Sequence, residues 1–412
     1  TTPHQRRALL DRLADLVARD SATLARTIAR EMGKTITEAR NEIRRVQNTL
    51  RLSGDAATVL DGEVMHCAIV AGGADKQAVV THRPVGVVAA ITPFNYPVNL
   101  LCHKLGPAIG AGNAVVVKPS PKAPLAAAHL VALTREAGFP PDLVQIVHGG
   151  AEAAVALARA PIDLLSFTGG PVAGMALKQA SGLVRCLMEL GGNDPLFVMP
   201  DADLDAAAAV AVGQRCEIAG QSCAAVKKLL VHESVAEALS GRIAALLETL
   251  RVGDPMLDAT QMGPVIDEAS ATEISGRVKE AVTLGARILH GGGRDGNLLA
   301  PTLIADVPQS ARLVSAETFG PVISMRRFDS IETAIDEINA TPFGLQAGLF
   351  TNDHAVIRMA ARRLRVGGLM INEGPDFRAE HVPFGGIKSS GLGREGVRIA
   401  MREMSEPHVV ID

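Results

Sequence analysis

The sequence has little cysteine: five residues in 412, at irregular spacing. That excludes a disulfide framework and makes a reducing cytosol the expected compartment. It has no C-x-x-C pair and no H-E-x-x-H, so no metal site is expected. It has no excess of one charge: 41 Lys and Arg stand against 44 Asp and Glu, a net charge of -3. A basic face is therefore not implied, and nucleic acid is not an expected partner. The longest apolar runs, such as Gly86–Thr92, are too short to span a bilayer, so no membrane is expected either. Internal repeats and low-complexity tracts are lacking. No G-x-G-x-x-G follows any predicted strand, which removes the ordinary dinucleotide fingerprint. The opening T-T-P-H-Q-R-R has no signal-peptide character and runs straight into an amphipathic helical pattern.

What is present is ordinary for a globular enzyme: 47% hydrophobic and 21% charged residues. The length predicts two or three domains. Residues 3–60 read as helices, with Leu9, Leu10, Leu13, Leu16 and Val17, then Ile36, Ile43, Val46 and Leu50, at helical spacing. Residues 64–83 lose that period and predict a β-hairpin around Ala71-Gly72-Gly73-Ala74-Asp75. From Val85 onward short β-rich runs alternate with helical ones. Strands are predicted at 85–92, 114–118, 144–147, 164–167 and 184–189, with helices between them. A second series follows, with a helix over 206–218, strands over 227–231 and 286–289, another starting at 317–322, and further ones over 347–351 and 368–372. The extended end, 406–412, suits an edge strand. The pattern predicts an α/β chain with two doubly wound parallel sheets, whose ligands sit at the carboxyl ends of the strands.

Several residues at those ends invite chemistry. A lone cysteine is usually a small buried hydrophobe, but Cys223 follows Gly220-Gln221-Ser222, where backbone N–H groups can point at a ligand. A thiolate there is a nucleophile for electrophilic carbon. Glu189 closes an apolar strand beside Gly191-Gly192, an expensive place for an idle carboxylate; it is a candidate base for activating water. Asn95, in T-P-F-N-Y-P, is either a turn residue or an oxyanion donor. Lys118 ends A-V-V-V-K, either snorkelling from the sheet edge or offering a cation to ribose or phosphate. Thr168-Gly169-Gly170 opens a helix whose amides could hold a pyrophosphate.

In combination these segments resemble one family. T-P-F-N-Y-P, G-N-A-V-V-V-K-P-S, S-F-T-G-G, M-E-L-G-G-N, G-Q-S-C, E-T-F-G-P, I-N-E and P-F-G-G-I-K-S-S-G-L-G-R-E-G occur in order, and over essentially the whole chain they resemble the NAD(P)-dependent aldehyde dehydrogenase superfamily. The resemblance implies Cys223 as nucleophile, Glu189 as general base, and Asn95 with the Cys223 N–H as oxyanion hole. It implies a cofactor, NAD or NADP, held by Ile91, Thr92, Pro93, Phe94, Lys118, Ser120, Gly149, Thr168, Gly169, Gly170, Leu190, Glu317 and Phe319. Glu406 would match a C-terminal glutamate that relays protons. It also implies a cofactor-binding domain over 1–63 and 84–192, a catalytic domain over 193–402, and an oligomerisation arm over 64–83 and 403–412, hence a homodimer or homotetramer. The family normally carries roughly fifty to sixty further residues before this start, and a missing N-terminal segment is expected.

Two positions depart from the family's pattern. Pro121 and Lys122 stand where NAD-preferring members commonly have Glu and its neighbour, which relaxes discrimination against a 2′-phosphate. Ile218 stands where Asn is frequent. Arg378, with Phe384, lies in a loop resembling the aldehyde tunnel of members acting on small polar or anionic aldehydes, such as lactaldehyde, glyceraldehyde-3-phosphate or phosphonoacetaldehyde. The plain alternative is a surface arginine paired with an acid. The rival functions are a CoA-acylating dehydrogenase, against which Glu189 argues, and an inactive truncated or structural member. The Cys223 thiol must also ionise, so nearby N–H groups and Lys118 are expected to lower its pKa from about 8.5.

Overall fold

A computed structural model describes all of residues 1–412. The helical period of the first sixty residues becomes three helices, α1 (Pro3–Arg19), α2 (Ser21–Met32) and α3 (Ile36–Ala57). Threonines cap α1 and α3, each in a reciprocal capping box with the residue three further on, Gln5 and Glu38. Gly33 ends α2 at φ 82°, a left-handed cap that favours glycine. The buried faces of these helices join the largest core, which continues into the first sheet.

Strands β1 (Glu63–His66) and β2 (Gln77–Pro84) form the expected hairpin, and Ser405–Ile411 pairs along the other side of β2. The first large sheet then follows from β3 (Val87–Ile91), α4 (Asn99–Ala111), β4 (Ala114–Lys118), α5 (Pro124–Glu136), β5 (Val144–Ile146), α6 (Ala151–Arg159), β6 (Leu164–Thr168), α7 (Pro171–Ser181) and β7 (Arg185–Glu189). Its order is β7-β6-β3-β4-β5, all parallel, and Gly391–Leu392 closes the β7 edge antiparallel.

The second sheet begins with a strand that the sequence reading passed over, β8 (Pro195–Val198). It continues with α8 (Leu204–Cys216), β9 (Lys228–His232), α9 (Ala236–Glu248), α10 (Glu268–Thr283) and β10 (Arg287–His290). Its spatial order is β10, Thr302–Ala305, Val322–Phe328, β9, β8, Gln346–Phe350 and Gly368–Ile371, parallel apart from β10. The strand expected to start at Glu317 starts at Val322 instead. Pro321 has no N–H to give a ladder, so 317–321 stays a loop at the sheet's end.

Part of the segment 193–402 packs with the first sheet. Gly391–Leu392 joins the first sheet, and the helix Val397–Glu403 packs on α3 and α4. Val397, Met401 and Met404 are buried in the core that holds α1 to α4. The chain thus returns to the first layer before its last strand. That return carries residues 384–396 over the strand ends of both sheets. No helix is long and apolar enough to cross a membrane.

Candidate active site

Glu189 is the last residue of β7, paired with Thr168 of β6 on one side and Gly391 on the other. Burial is the first cause that drives its carboxyl well above the usual carboxylate range, with repulsion from Glu395 adding to it; Arg378, Lys104 and Arg394 oppose. Oε2 is buried without a hydrogen-bond partner. The close approach of Gly385 makes room for it: at φ 151°, a Cβ there would lie 2.6 Å from Glu189 Oε1.

Cys223 reaches the same place from the second sheet. After α8 the backbone takes a short left-handed turn, with φ of 44°, 54° and 72° at Ile218, Ala219 and Gly220. Positive φ at a β-branched residue is strained and persists only where its surroundings fix it. Here the Ile218 N–H donates to Glu38 Oε1 at 2.7 Å, and its side chain is buried. Asn, expected here from the resemblance, visits such a backbone more readily than a β-branched residue. At Gly220 a Cβ would meet the Gly320 carbonyl oxygen at 2.3 Å, so the turn admits only glycine. The turn delivers Cys223 to the mouth of the strand ends.

The thiol is a wall shared by two cavities. The larger, about 360 Å³, is lined by Pro93, Phe94, Asn95, Thr168, Gly169, Gly170, Glu189, Leu190, Cys223, Glu317 and Phe319, with Phe167, Ala173 and Gly191. Eleven of the residues singled out from sequence meet there. Phe94 and Phe319 stand edge to face, ring centroids 6.0 Å apart. The smaller cavity, about 50 Å³, lies on the other side of Cys223 and Asn95, and Arg45, Glu217, Asp376, Arg378 and Phe384 line it. Asn95 borders both; its Nδ2 donates to the Gln221 carbonyl at 2.9 Å.

The larger cleft suits a phosphate-bearing ligand at one end. Gly170 caps α7 without any side-chain hydrogen bond, and Pro171 holds the first helical position. The amides beyond it are thus open donors at a helix N-terminus. The Gly169 N–H is already used, donating to the Glu189 carbonyl at 3.1 Å. Lys118, Ser120 and Gly149 sit at the neighbouring strand ends, outside the lining of this cavity. The Lys118 ammonium has only the Pro119 carbonyl as acceptor, at 3.0 Å, and burial lowers its pKa. Thr92 is buried and its N–H pairs with the Lys118 carbonyl. Ile91 is not among the residues lining the cleft and packs in the core with Leu165, Phe167 and Met188.

Two expectations fail on geometry. Glu406 lies on the outer strand opposite Arg83, with its side chain exposed and paired with Arg185, remote from the thiol. The buried glutamate near Glu189 is Glu395, which Lys104, Arg378 and His103 hold as a carboxylate against the cost of burial. The cation expected to lower the thiol's pKa is not Lys118. Burial pushes the Cys223 thiol up, and the charge that opposes this is Lys227, while Asp376, Glu317 and Asp194 reinforce the rise. Arg378 is neither free nor on the surface: Nη2 donates to Glu395 Oε2 at 2.7 Å, and its guanidinium lies 4.2 Å from the Phe384 ring centroid. The cation less occupied at the small cavity is Arg45, about one-third exposed, which gives its Nε to Glu380 Oε1 at 2.7 Å.

The sequence reading missed Lys104, Glu395, Lys227, Arg45 and Asp376. Lys104 left a signal: it sits in α4, every residue of which is buried. Such a lysine needs partners, and it has them, donating to Thr168 Oγ1 at 2.7 Å and Glu395 Oε1 at 3.0 Å. The others left none that periodicity could find.

With this geometry in hand, comparison with known proteins decides the family, since the aldehyde dehydrogenase family model matches residues 1–410. The chain belongs to the aldehyde dehydrogenase family. It is 42% identical over 408 residues to aspartate-semialdehyde dehydrogenase 1 of Pseudomonas canavaninivorans, covering 99% of this chain and 87% of that one. It is 39% identical over 412 residues to 3-sulfolactaldehyde dehydrogenase of Priestia aryabhattai, covering 100% and 86%. Among solved structures, the NADP-dependent glyceraldehyde-3-phosphate dehydrogenase of Bacillus halodurans C-125, complexed with NADP, superposes with a TM-score of 0.97 at 37% identity, covering 100% and 87%. The chain is accordingly an NAD(P)-dependent aldehyde dehydrogenase.

Proposed function

We propose that this enzyme oxidises a small polar aldehyde, one carrying an acidic group, to the carboxylic acid through a covalent bond to Cys223. The observation that carries the reading is the position of the thiol between two cavities, which gives it one side for the aldehyde and the other for the cofactor. The Cys223 thiolate adds to the carbonyl carbon, and Asn95 with the Cys223 N–H steadies the developing oxyanion. Bound nicotinamide supplies the acceptor for two electrons and a proton equivalent. Glu189 then takes a proton from water as that water hydrolyses the thioester and frees the thiol. Lys104 and Glu395 hold the far side of the Glu189 site in place.

On the cofactor side, Glu317 and Phe319 would hold the nicotinamide riboside, Leu190 and the Pro93-Phe94 turn would wall it, and the start of α7 would take the pyrophosphate. Lys118, Ser120 and Gly149 would reach the adenosine ribose. Lys122 is held by Asp267 at 2.6 Å, so it is a shared rather than a free cation for any 2′-phosphate. The family fold and the two arginines at the small cavity, Arg45 and Arg378, support the acidic aldehyde, as do relatives named for aspartate semialdehyde and sulfolactaldehyde. The reading also keeps 1–63 with 84–192 as the cofactor side. It keeps the arm as the surface for a second copy, on which Val64, Met65, Val409, Val410 and Ile411 are exposed.

The test is an initial-rate panel of small neutral and anionic aldehydes with NAD and with NADP. The reading expects acid as product, with kcat/KM favouring anionic aldehydes over neutral ones of equal length. Product formation only as acyl-CoA, or no preference for the anionic members, would overturn it.

A further inference from the structure

Directly behind the nucleophile lies a lysine that the reaction above does not use. Lys227 is four residues after Cys223, at the threshold of β9, and its side chain is fully buried. Its Nζ donates to the Ser222 carbonyl at 2.8 Å and also to the Cys223 carbonyl. The same nitrogen lies 3.4 Å from Glu317 Oε1. The Gly192 N–H donates to that same Oε1 at 3.2 Å, and a Cβ at Gly191 would collide with Oε2 at 2.0 Å. One nitrogen thus joins the loop that carries the thiol, on the second sheet, to a carboxylate lining the larger cavity.

We propose that Lys227 is a positioning residue that sets two things at once: the placement and ionisation of Cys223, and the seat of Glu317 on the cofactor side. The inference rests on the aldehyde-oxidising reading only for the use made of the thiol; the network itself is independent of any substrate. Two roles follow from the contacts. As a hydrogen-bond donor, Lys227 fixes the carbonyls of 222 and 223, and so the direction of the Cys223 side chain. As a charge, it is the foremost cation opposing the carboxylates that face the thiol: Asp376 from the loop over 372–384, Glu317 from the loop before Val322, and Asp194 from the loop after β7. Glu189 lines the same cavity from the end of β7. Removing the charge leaves a buried thiol among acids, which disfavours the thiolate. Removing the donor as well frees both carbonyls and leaves Glu317 without its cation.

The experiment compares Lys227→Met and Lys227→Gln with the unmodified enzyme, using iodoacetamide alkylation of the Cys223 peptide followed by mass spectrometry against pH. Equilibrium binding of NAD and NADP is measured by titration. Gln keeps an amide donor for the two carbonyls and lacks the charge. The expected result for Lys227→Met is alkylation at least tenfold slower at neutral pH, with its rise displaced to higher pH, and cofactor binding weakened at least fivefold. For Lys227→Gln the alkylation loss persists while cofactor binding recovers part of the way. The proposal is overturned if Lys227→Met alkylates and binds cofactor within twofold of the parent. Should Lys227→Met unfold, parent-like alkylation in a folded Lys227→Gln overturns it equally. Neither readout needs turnover, so an enzyme inactive on every aldehyde tried would refute the proposed function and leave this test standing.

Discussion

Replacing Glu189 with Gln separates the two halves of the reaction. The substitution preserves shape, so the clearance left by Gly385 still accommodates the side chain. Oε2 has no partner to lose, and burial already disfavours the charged form, so a neutral amide costs the fold little. On the proposed mechanism, what disappears is the proton acceptor for hydrolytic water. A positioned base contributes about 10²- to 10⁴-fold, which corresponds to roughly 3 to 5 kcal/mol of barrier at 1.36 kcal/mol per tenfold. Rapid mixing with a good aldehyde should therefore give a burst of NAD(P)H equal to the active sites, followed by a steady state slower by about that factor. The pH dependence carries a sign. Burial, with Glu395 beside it, favours the protonated carboxyl, so base accumulates only as pH rises through a value above the ordinary carboxylate range. Steady-state hydrolysis in the parent should rise across that window and fall as pH drops through it. The Gln variant should lack that limb and keep only the thiol's ionisation. An unchanged steady state, or a burst lost along with it, would refute Glu189 as the base.

Four further outcomes follow from the same contacts. Cys223→Ala should abolish aldehyde oxidation while leaving NAD(P) affinity within severalfold by titration; retained turnover would remove the thiol from the mechanism. Gly385→Ala places a Cβ 2.6 Å from Glu189 Oε1 at a φ that favours glycine; it should mimic Glu189→Gln, with the burst kept and hydrolysis slowed at least tenfold, and parent-like steady-state rates would contradict the clearance argument. Arg45→Ala should raise KM for an anionic aldehyde about tenfold or more and spare a neutral one, so equal effects on the two would exclude it as the anion's partner. Lys104→Met should leave Glu395 buried with one cation fewer, lower the melting temperature by a few degrees (about 1 °C for each kcal/mol at this size) and slow hydrolysis more than the burst; a stability and rate equal to the parent would remove it from the network.

The sequence made the strand-end chemistry legible because two periodicities cross there. Glu189 and Lys118 each end an apolar strand, where a charge is conspicuous, and Cys223 follows a glycine that the turn requires. The strand β8 was not legible: four residues beginning with Pro195, buried on both faces, carry neither alternation nor flanking helix signals. It is nonetheless central, lying between β9 and Gln346–Phe350. Glu406, which the resemblance offered as a proton relay, shows that a matching position does not fix a side chain's direction. The pairing of Ser405–Ile411 along β2 draws that residue outward to Arg83, whereas Glu395 is turned inward by its antiparallel bridge to Phe384.

The larger lesson concerns charge. Lys104 comes from α4, Lys227 from the threshold of β9, Arg45 from α3, Arg378 and Glu395 from the returning segment, and Glu189 from β7. The decisive pairs are distant in sequence: Lys104 meets Glu395 across 291 positions and Arg45 meets Glu380 across 335. A buried ion pair gains little over well-packed apolar residues, because desolvation cancels much of the attraction. Its persistence in so many copies around one thiol and one carboxyl is therefore poorly explained by stability. On the proposed mechanism it has another use: Lys104, Arg378 and His103 keep Glu395 ionised, and that charge together with burial disfavours the charged form of Glu189, against the direct pull of Lys104 and Arg378 on the same carboxyl. The proposed reaction would draw on that balance, with a base that gains its charge only as the water it serves gives up a proton.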